Sequence, residues 1–334
     1  MNVCVLGDGG WGTALAMVLK RNGHNVKIWG PFADYSRDVE SSRHNAKYLE
    51  GVDLPDGLRF TADHEEAVDE AEAFVIAVPS KFYRNVMEQF QGRVSPKSMV
   101  VSVTKGLDEK THGRMSEVAQ ELLGLESVSV LSGPSHAEEV ARGVPSAVVV
   151  ACSDHDAAVR FQSIFNSKAF RVYTSNDVVG VELGGAMKNI IAVAAGISDG
   201  IGFGDNTKAA LVTRGLAEMS RLGASLGGCQ STFAGLSGIG DLIVTCMSGL
   251  SRNRSVGEQL GRGHSLEEVM GGMDQVAEGV WTCITARALG TDRGIDLPIT
   301  SEVFAVVHEG KNPGDAVQDL LSRDPKPEMD SKSG

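Results

Sequence analysis

The stretch Asn2-Val3-Cys4-Val5-Leu6-Gly7-Asp8-Gly9-Gly10-Trp11-Gly12 decides how the rest of the chain is read. Five residues of strand character run directly into Gly7, Gly9 and Gly12 at the spacing G-x-G-x-x-G, and a helical pattern from Trp11 to Arg21 follows. Each glycine has its own reason. Gly7 permits the tight turn, Gly9 lets a pyrophosphate approach the backbone, and Gly12 lets the helix pack closely on the strand. The free N–H groups and positive dipole end of the helix then face the phosphates.

Working outward, apolar β-branched runs recur at Asn25–Trp29, Ala73–Val78, Met99–Val103, Ser127–Leu131 and Ser146–Ala151. Helical patterns lie between them at Lys81–Gln91, Thr111–Leu123 and Ser135–Ala141. Strands alternating with helices predict crossover units and a mostly parallel sheet, and consecutive apolar residues predict strands covered on both faces. After Val172 the spacing becomes helical, with Val181–Ile197 the longest apolar segment. Thr207–Leu222 follows with Asn206 as its expected cap, then Ser265–Met270, Thr282–Gly290, Ser301–Glu309 and Pro313–Leu321. The chain therefore reads as α/β: an N-terminal Rossmann-type dinucleotide-binding domain (1–180), a C-terminal all-helical domain (181–322) carrying substrate and catalytic groups, and a loose polar tail (323–334). The cleft is expected between the two domains.

Composition sets limits. The chain has 334 residues, 42% hydrophobic and 22% charged, as an ordinary globular enzyme does. Its 31 Lys and Arg against 43 Asp and Glu give a formal charge of −12. Such a surface repels phosphate backbones and anionic lipid, so no nucleic-acid partner and no stable membrane association are expected. An anionic small molecule would need a local basic pocket. No basic leader precedes the first strand, and no apolar run approaches the ~18 residues of a membrane span. Cys4, Cys152, Cys229, Cys246 and Cys283 lack the spacing of a metal site or disulfide framework, and read as buried free thiols with no metal.

Several further motifs carry chemistry. Val78-Pro79-Ser80 and Thr104-Lys105-Gly106-Leu107 close two strands, where folds of this kind bind ligands. On position alone Lys105 reads equally as a ligand contact or a solvated loop lysine. Ser132-Gly133-Pro134-Ser135-His136-Ala137 makes a rigid turn in which Ser135 either caps the next helix or helps present backbone to a ligand. In Gly184-Gly185-Ala186-Met187-Lys188-Asn189 one lysine sits inside an apolar helix. Desolvation and a second cation would lower its pKa, as an acid/base lysine requires. Ser251-Arg252-Asn253-Arg254 opens a helix, or the capping box Ser255-Val256-Gly257-Glu258 does; either start sets Arg252 beside free amides suited to phosphate. The second strand ends in Trp29-Gly30-Pro31-Phe32, with Asp34 the first acid and Arg37 nearby, so NAD or NADP is left open.

Together the segments GDGGWGTALA, VPS, TKGL, SGPSHAEEVA, GVELGGAMKNIIAVAAGISDGIGFGDNTKAALVTRGLAEMSRLG, GLSGIGDLIVTC and SRNRSVG resemble the bacterial type of NAD(P)-dependent glycerol-3-phosphate dehydrogenase over residues 2–322. Ser135-His136 stands where many members carry Thr-Phe or Ser-Phe. The resemblance implies reversible reduction of dihydroxyacetone phosphate to sn-glycerol 3-phosphate. It implies Lys188 as acid/base, Lys105 as a contact to substrate and cofactor, and Asp241 as the group orienting Lys188. It places Gly133, Ser135, Asn189, Thr245, Ser251, Arg252 and Asn253 around the substrate, with Lys105, Lys188 and Asp241. It places Gly10, Trp11, Pro31, Ala137, Arg252, Val276 and Glu278 on NAD or NADP, beside Gly7, Gly9 and Gly12 of the loop. It further implies a cytoplasmic homodimer that supplies glycerol phosphate for phospholipid synthesis. A β-hydroxyacid dehydrogenase is the nearest rival, but its lysine tends to be followed by Asn four residues on, where this chain has Ala192. A dinucleotide-binding sensor without catalysis would need neither Lys188 nor Arg252.

Overall fold

A computed structural model describes residues 1–273, 275–325, 327 and 328. Strands and helices alternate through the first half: β1 (Asn2–Leu6), α1 (Gly10–Arg21), β2 (Asn25–Trp29), α2 (Ala33–Ser42), β3 (Leu58–Thr61), α3 (His64–Val68), β4 (Ala73–Ile76), α4 (Ser80–Phe90), β5 (Met99–Ser102), α5 (Met115–Leu123), β6 (Ser129–Ser132), α6 (Ala137–Ala141), β7 (Ser146–Ala151), α7 (His155–Phe165) and β8 (Phe170–Ser175). They form one sheet in the order β3-β2-β1-β4-β5-β6-β7-β8. All neighbours are parallel except β6 and β7, which are antiparallel, so β7 and β8 run against the first six strands. The order reverses beside β1, which opens a crevice above the carboxyl ends of β1 and β4.

β1 shows why its residues are apolar at every position. Val3 and Val5 face one core shared with Leu15 of α1 and Phe161 of α7. Cys4 and Leu6 face the other, shared with Tyr83 and Met87 of α4 and Val118 of α5. A period of two thus serves two hydrophobic layers.

The second half is helical: α8 (Val178–Ile201), α9 (Asp205–Ser225), α10 (Gln230–Phe233), an irregular turn at Leu236–Gly240, α11 (Asp241–Met247), α12 (Arg252–Gly261), α13 (Leu266–Gly271), α14 (Glu278–Arg293), α15 (Pro298–His308) and α16 (Pro313–Leu321). They wrap α8, whose Leu183 to Ile197 segment is almost wholly buried. α8 is longer than the sequence pattern predicts. Its 24 residues are long and apolar enough to cross a bilayer, yet 89% of the most apolar window is buried inside this core.

Several expectations are corrected. α9 begins at Asp205 with Gly204 as its cap, so Asn206 does not cap it. His136 rather than Ser135 precedes α6, and the Ser135 hydroxyl donates to Gly133 O at 2.8 Å. α5 begins only at Met115, because the Asp108 carboxylate accepts the Thr111 amide and hydroxyl and holds that segment in a turn. Of the two starts expected for α12 the first holds: Ser251 caps the helix, its hydroxyl accepting Arg254 N–H at 3.2 Å. Four cysteines are buried as expected, but Cys229 is exposed. The expected tail lies mostly outside the described residues, at 326 and 329–334.

Candidate active site

The glycine loop is built as its spacing requires. Gly7 has φ +118°, and a Cβ there would meet Ala77 O at 2.6 Å. Gly12 packs against the loop itself, with Gly7 O 2.1 Å from where its Cβ would be. Gly9 instead faces open space and caps α1 without a side chain. The first bond of that helix runs from Thr13 N–H to Gly9 O at 2.9 Å, leaving the amides of Gly10, Trp11 and Gly12 ahead of it. No acid occupies the first turn. This is an anion-binding end free to take a pyrophosphate, and it fits a dinucleotide.

A cavity of about 490 Å³ runs from this loop to Lys188. Gly7, Gly9, Gly10, Trp11, Pro31, Ala137, Val276 and Glu278 line it, with Lys105, Ser135, Lys188, Asn189, Thr245, Ser251, Arg252 and Asn253. Three predicted residues stand behind the wall. Gly12 holds the helix to the loop, Gly133 (φ +135°) offers its carbonyl to Lys105, and Asp241 lies beneath the two lysines. Among the described residues, no group of His, Cys, Asp and Glu is arranged to hold a metal.

Asp241 is 1% exposed and begins α11. One carboxylate oxygen accepts Lys188 Nζ at 2.5 Å, and the other accepts Lys105 Nζ at 2.7 Å. Lys188 also donates to Thr245 Oγ1 at 2.7 Å, and that hydroxyl donates on to Asp241 O at 2.6 Å. Burial drives the Lys188 ammonium down to about 8; Asp241 opposes the fall and Lys105 adds to it. The two glycines before it explain themselves here. A Cβ on Gly184 would strike Ser237 O at 2.5 Å, and one on Gly185 would strike Ser132 Oγ at 2.6 Å and touch Lys105 Cγ at 3.4 Å. Gly185 is what lets Ser132 pack against α8, with the Lys105 stem in contact beside it.

α12 delivers the basic cluster. It lies so close to α8 that a Cβ on Gly196 would fall 2.0 Å from Arg254 O. This seam sets Ser251, Arg252 and Asn253 beside Lys188 and Asn189. Asn253 donates to Asn189 Oδ1 at 3.0 Å and accepts Gly279 N–H at 2.8 Å, while Asn189 donates to Lys105 O at 3.1 Å. Arg252 is exposed to the cleft, and its charge interacts with Glu278 and Glu138. His136 lines the cleft too, but burial and the two lysine charges lower its pKa, and its Nε2 has no hydrogen-bond partner.

Two residues escape sequence reasoning. Ser80 at the start of α4 donates its amide to Glu278 Oε1 at 3.0 Å and its hydroxyl to the other carboxylate oxygen, across 198 positions. It ties the sheet to α14 over the cleft. The motif Val78-Pro79-Ser80 marks the place, but no local pattern marks the partner. The second is Asp8, the residue between the first two glycines.

The chain is similar to known proteins over nearly its whole length. The family described as NAD-dependent glycerol-3-phosphate dehydrogenase matches in two parts, its N-terminus over residues 2–158 and its C-terminus over 177–318. A glycerol-3-phosphate dehydrogenase (NAD(P)+) of Prosthecochloris aestuarii (strain DSM 271 / SK 413) is 50% identical over 332 residues, 98% of this chain and 100% of that one. One from Thermoanaerobacter sp. (strain X514) is 50% identical over 329 residues, 98% of this chain and 99% of that one. A crystal structure of glycerol-3-phosphate dehydrogenase from Coxiella burnetii superposes with a TM-score of 0.93 at 38% identity, covering 96% of this chain and 99% of that one. The glycine loop lies within the first matched part and Lys188 and Arg252 within the second, and neither rival reading is favoured. The chain belongs to the NAD-dependent glycerol-3-phosphate dehydrogenase family.

Proposed function

We propose that this chain interconverts dihydroxyacetone phosphate and sn-glycerol 3-phosphate with NAD(P), and that Lys188 is its acid/base. The observation that carries the reading is a buried lysine held between Asp241 and Thr245, with Lys105 on the same carboxylate, in a cleft that reaches the glycine loop. When bound, the nicotinamide supplies or accepts the hydride at its C4. Lys188 Nζ gives a proton to the substrate oxygen as it gains negative charge, and its ammonium stabilises that charge. In reverse the neutral amine takes the hydroxyl proton. Asp241 aims Lys188, and Lys105, on the other oxygen of the same carboxylate, contacts substrate and cofactor beside it. Ser251, Arg252 and Asn253 hold the phosphate, and Gly133, Ser135, Asn189 and Thr245 complete the substrate wall. Gly7, Gly9, Gly10, Trp11, Gly12, Pro31, Ala137, Val276 and Glu278 hold the dinucleotide. On this reading residues 1–180 are the dinucleotide unit and 181–322 the substrate unit. The chain then acts as a cytoplasmic homodimer that feeds phospholipid synthesis, without lasting attachment to a membrane.

The test is the decay of reduced-nicotinamide absorbance with dihydroxyacetone phosphate, followed across pH. Reduction needs the protonated lysine, so its rate is expected to fall as pH rises past about 8. Oxidation of glycerol 3-phosphate needs the neutral amine and is expected to rise through the same region. Absence of turnover on folded protein, or two profiles moving together, counts against the reading.

Arg252→Ala removes the clamp and leaves the lysines in place. A charge-assisted bond contributes about 1.5–3 kcal/mol, so KM for dihydroxyacetone phosphate is expected to rise roughly ten- to a hundredfold, with a smaller change in kcat. An unchanged KM would show that the phosphate is held elsewhere.

A further inference from the structure

The turn after β2 departs from the usual logic of dinucleotide recognition. Such folds ordinarily place an acid at the end of the second strand against the ribose 2′-hydroxyl of NAD, or an arginine there for the 2′-phosphate of NADP. Here β2 ends at Trp29, and Gly30, Pro31 and Phe32 carry no charge. On α2, Asp34 and Arg37 pair with each other in solvent.

The acid arrives from the glycine loop instead. A Cβ built on Gly30 would lie 2.1 Å from Asp8 Oδ2 and 2.4 Å from Asp8 Cγ. The Asp8 carboxylate therefore fills the space that a side chain from the end of β2 would take, and Gly30 is what admits it. Asp8 is 6% exposed and lines the cleft beside Gly9, Trp29 and Pro31. Its Oδ2 has no hydrogen-bond partner. The Asp8 backbone is fixed as well, since its carbonyl accepts Asn45 Nδ2 at 2.8 Å and Thr13 Oγ1 at 3.2 Å. Leaving a buried carboxylate oxygen without a donor is costly, and burial pushes the carboxyl up to about 6 against the opposing effects of its own backbone N–H and the Lys47 charge. Oδ2 itself is closed off against Gly30, but Asp8 still lines the cleft, so a ribose seated over this loop lies beside the carboxylate and can bring it a hydroxyl donor. A 2′-phosphate would instead set a dianion against the carboxylate.

We propose that Asp8 is the specificity-determining residue for the dinucleotide: its carboxylate, folded over Gly30, accepts the adenosine ribose hydroxyl and repels a 2′-phosphate, so the chain selects NAD(H) over NADP(H). This deepens the proposed function and rests on its assignment of the cleft to a dinucleotide.

The experiment is a direct fluorescence titration of the full chain with NADH and with NADPH, no carbonyl substrate present, repeated on Asp8→Ala and Asp8→Asn. Wild type is expected to bind NADH at least about tenfold more tightly, from one charge-assisted bond gained and one repulsion avoided. Asp8→Ala is expected to bring the two affinities together, weakening NADH and strengthening NADPH. Asp8→Asn keeps an acceptor without the charge, so it is expected to move mainly NADPH. ADP-ribose and its 2′-phosphate should compete in the same order. Equal wild-type affinities, or a parallel loss for both nucleotides in the variants, would overturn the proposal, and the wild-type ratio decides even if a variant does not fold. Binding of neither nucleotide to folded wild type would overturn the reading of the cleft as well. The identity of the carbonyl substrate does not enter the titration.

Discussion

Lys188→Ala is expected to lower the rate of dihydroxyacetone phosphate reduction by about three to four orders of magnitude, through loss of general-acid catalysis and of charge at the forming alkoxide. Lys105 does not replace it, because its Nζ is held by Asp241 and Gly133 O on the far side of the carboxylate. The fold should survive the change. Asp241 keeps Lys105 as its counter-ion, so no buried carboxylate is left unpaired. Thr245 still donates to Asp241 O, and alanine is the best helix former for the middle of α8. NADH binding should be retained, because the glycine loop lies at the other end of the cleft. Steady-state kcat, NADH titration and a thermal melt on one preparation separate the cases. Lost nucleotide binding or a collapsed melting temperature would make the lysine structural, and an intact kcat would remove it from the chemistry.

How much of this could be read from sequence follows from how local each signal is. β1, the glycine loop and α1 are contiguous, and turn, strand and helix all lie within 21 residues. The lysine within α8 stands out because, Asn189 apart, the residues around it are apolar or glycine. β3 does not stand out: it is only Leu58-Arg59-Phe60-Thr61. α2 is equally quiet, a polar helix that buries only Ser36 and Val39. The reversal of β7 is a matter of pairing, and no run of residues encodes its direction. The site is divided in the same way. Lys188, Arg252 and the glycines are visible as types in unusual places. The Asp241 carboxylate that joins Lys105 to Lys188 bridges 136 and 53 positions, and its role came into view only through family resemblance. Asp8 sat in plain sight within the motif, but its meaning depends on Gly30, the residue that follows a different strand. Ser135 and Asn206 show the opposite error, where cap propensity was real and the backbone placed the helix start one or two residues away.

Asp241→Asn should do damage of another kind, affecting stability and chemistry together. In the native site one carboxylate serves two ammonium groups, and all three side chains are largely shielded from water. An asparagine can accept a hydrogen bond but brings no charge, so two cations are left facing each other. Removing one partner of a buried pair typically costs about 3–5 kcal/mol, and a loss of about 3 kcal/mol at pH 7 is expected here, read as a lower urea midpoint. The sign of its pH dependence is fixed. The native Lys188 already titrates at about 8, below its ordinary value, and losing Asp241 removes the main influence holding it up. The unfolded chain then binds more protons than the folded one over a window reaching further below 8, so stability rises with pH across it. By pH 9 the amine is largely neutral in the wild type too, so the wild type no longer gains from the Asp241–Lys188 ion pair, and the gap between variant and wild type should narrow. Reduction at pH 7 should fall about a hundredfold or more, because the acid has both lost its proton and lost its aim. Oxidation, which uses the neutral amine, should suffer less at that pH. A stability loss that is the same at pH 7 and pH 9 would mean that Asp241 acts as a hydrogen-bonding spacer. Equal losses in the two directions of reaction would mean that its charge does not set the protonation of Lys188.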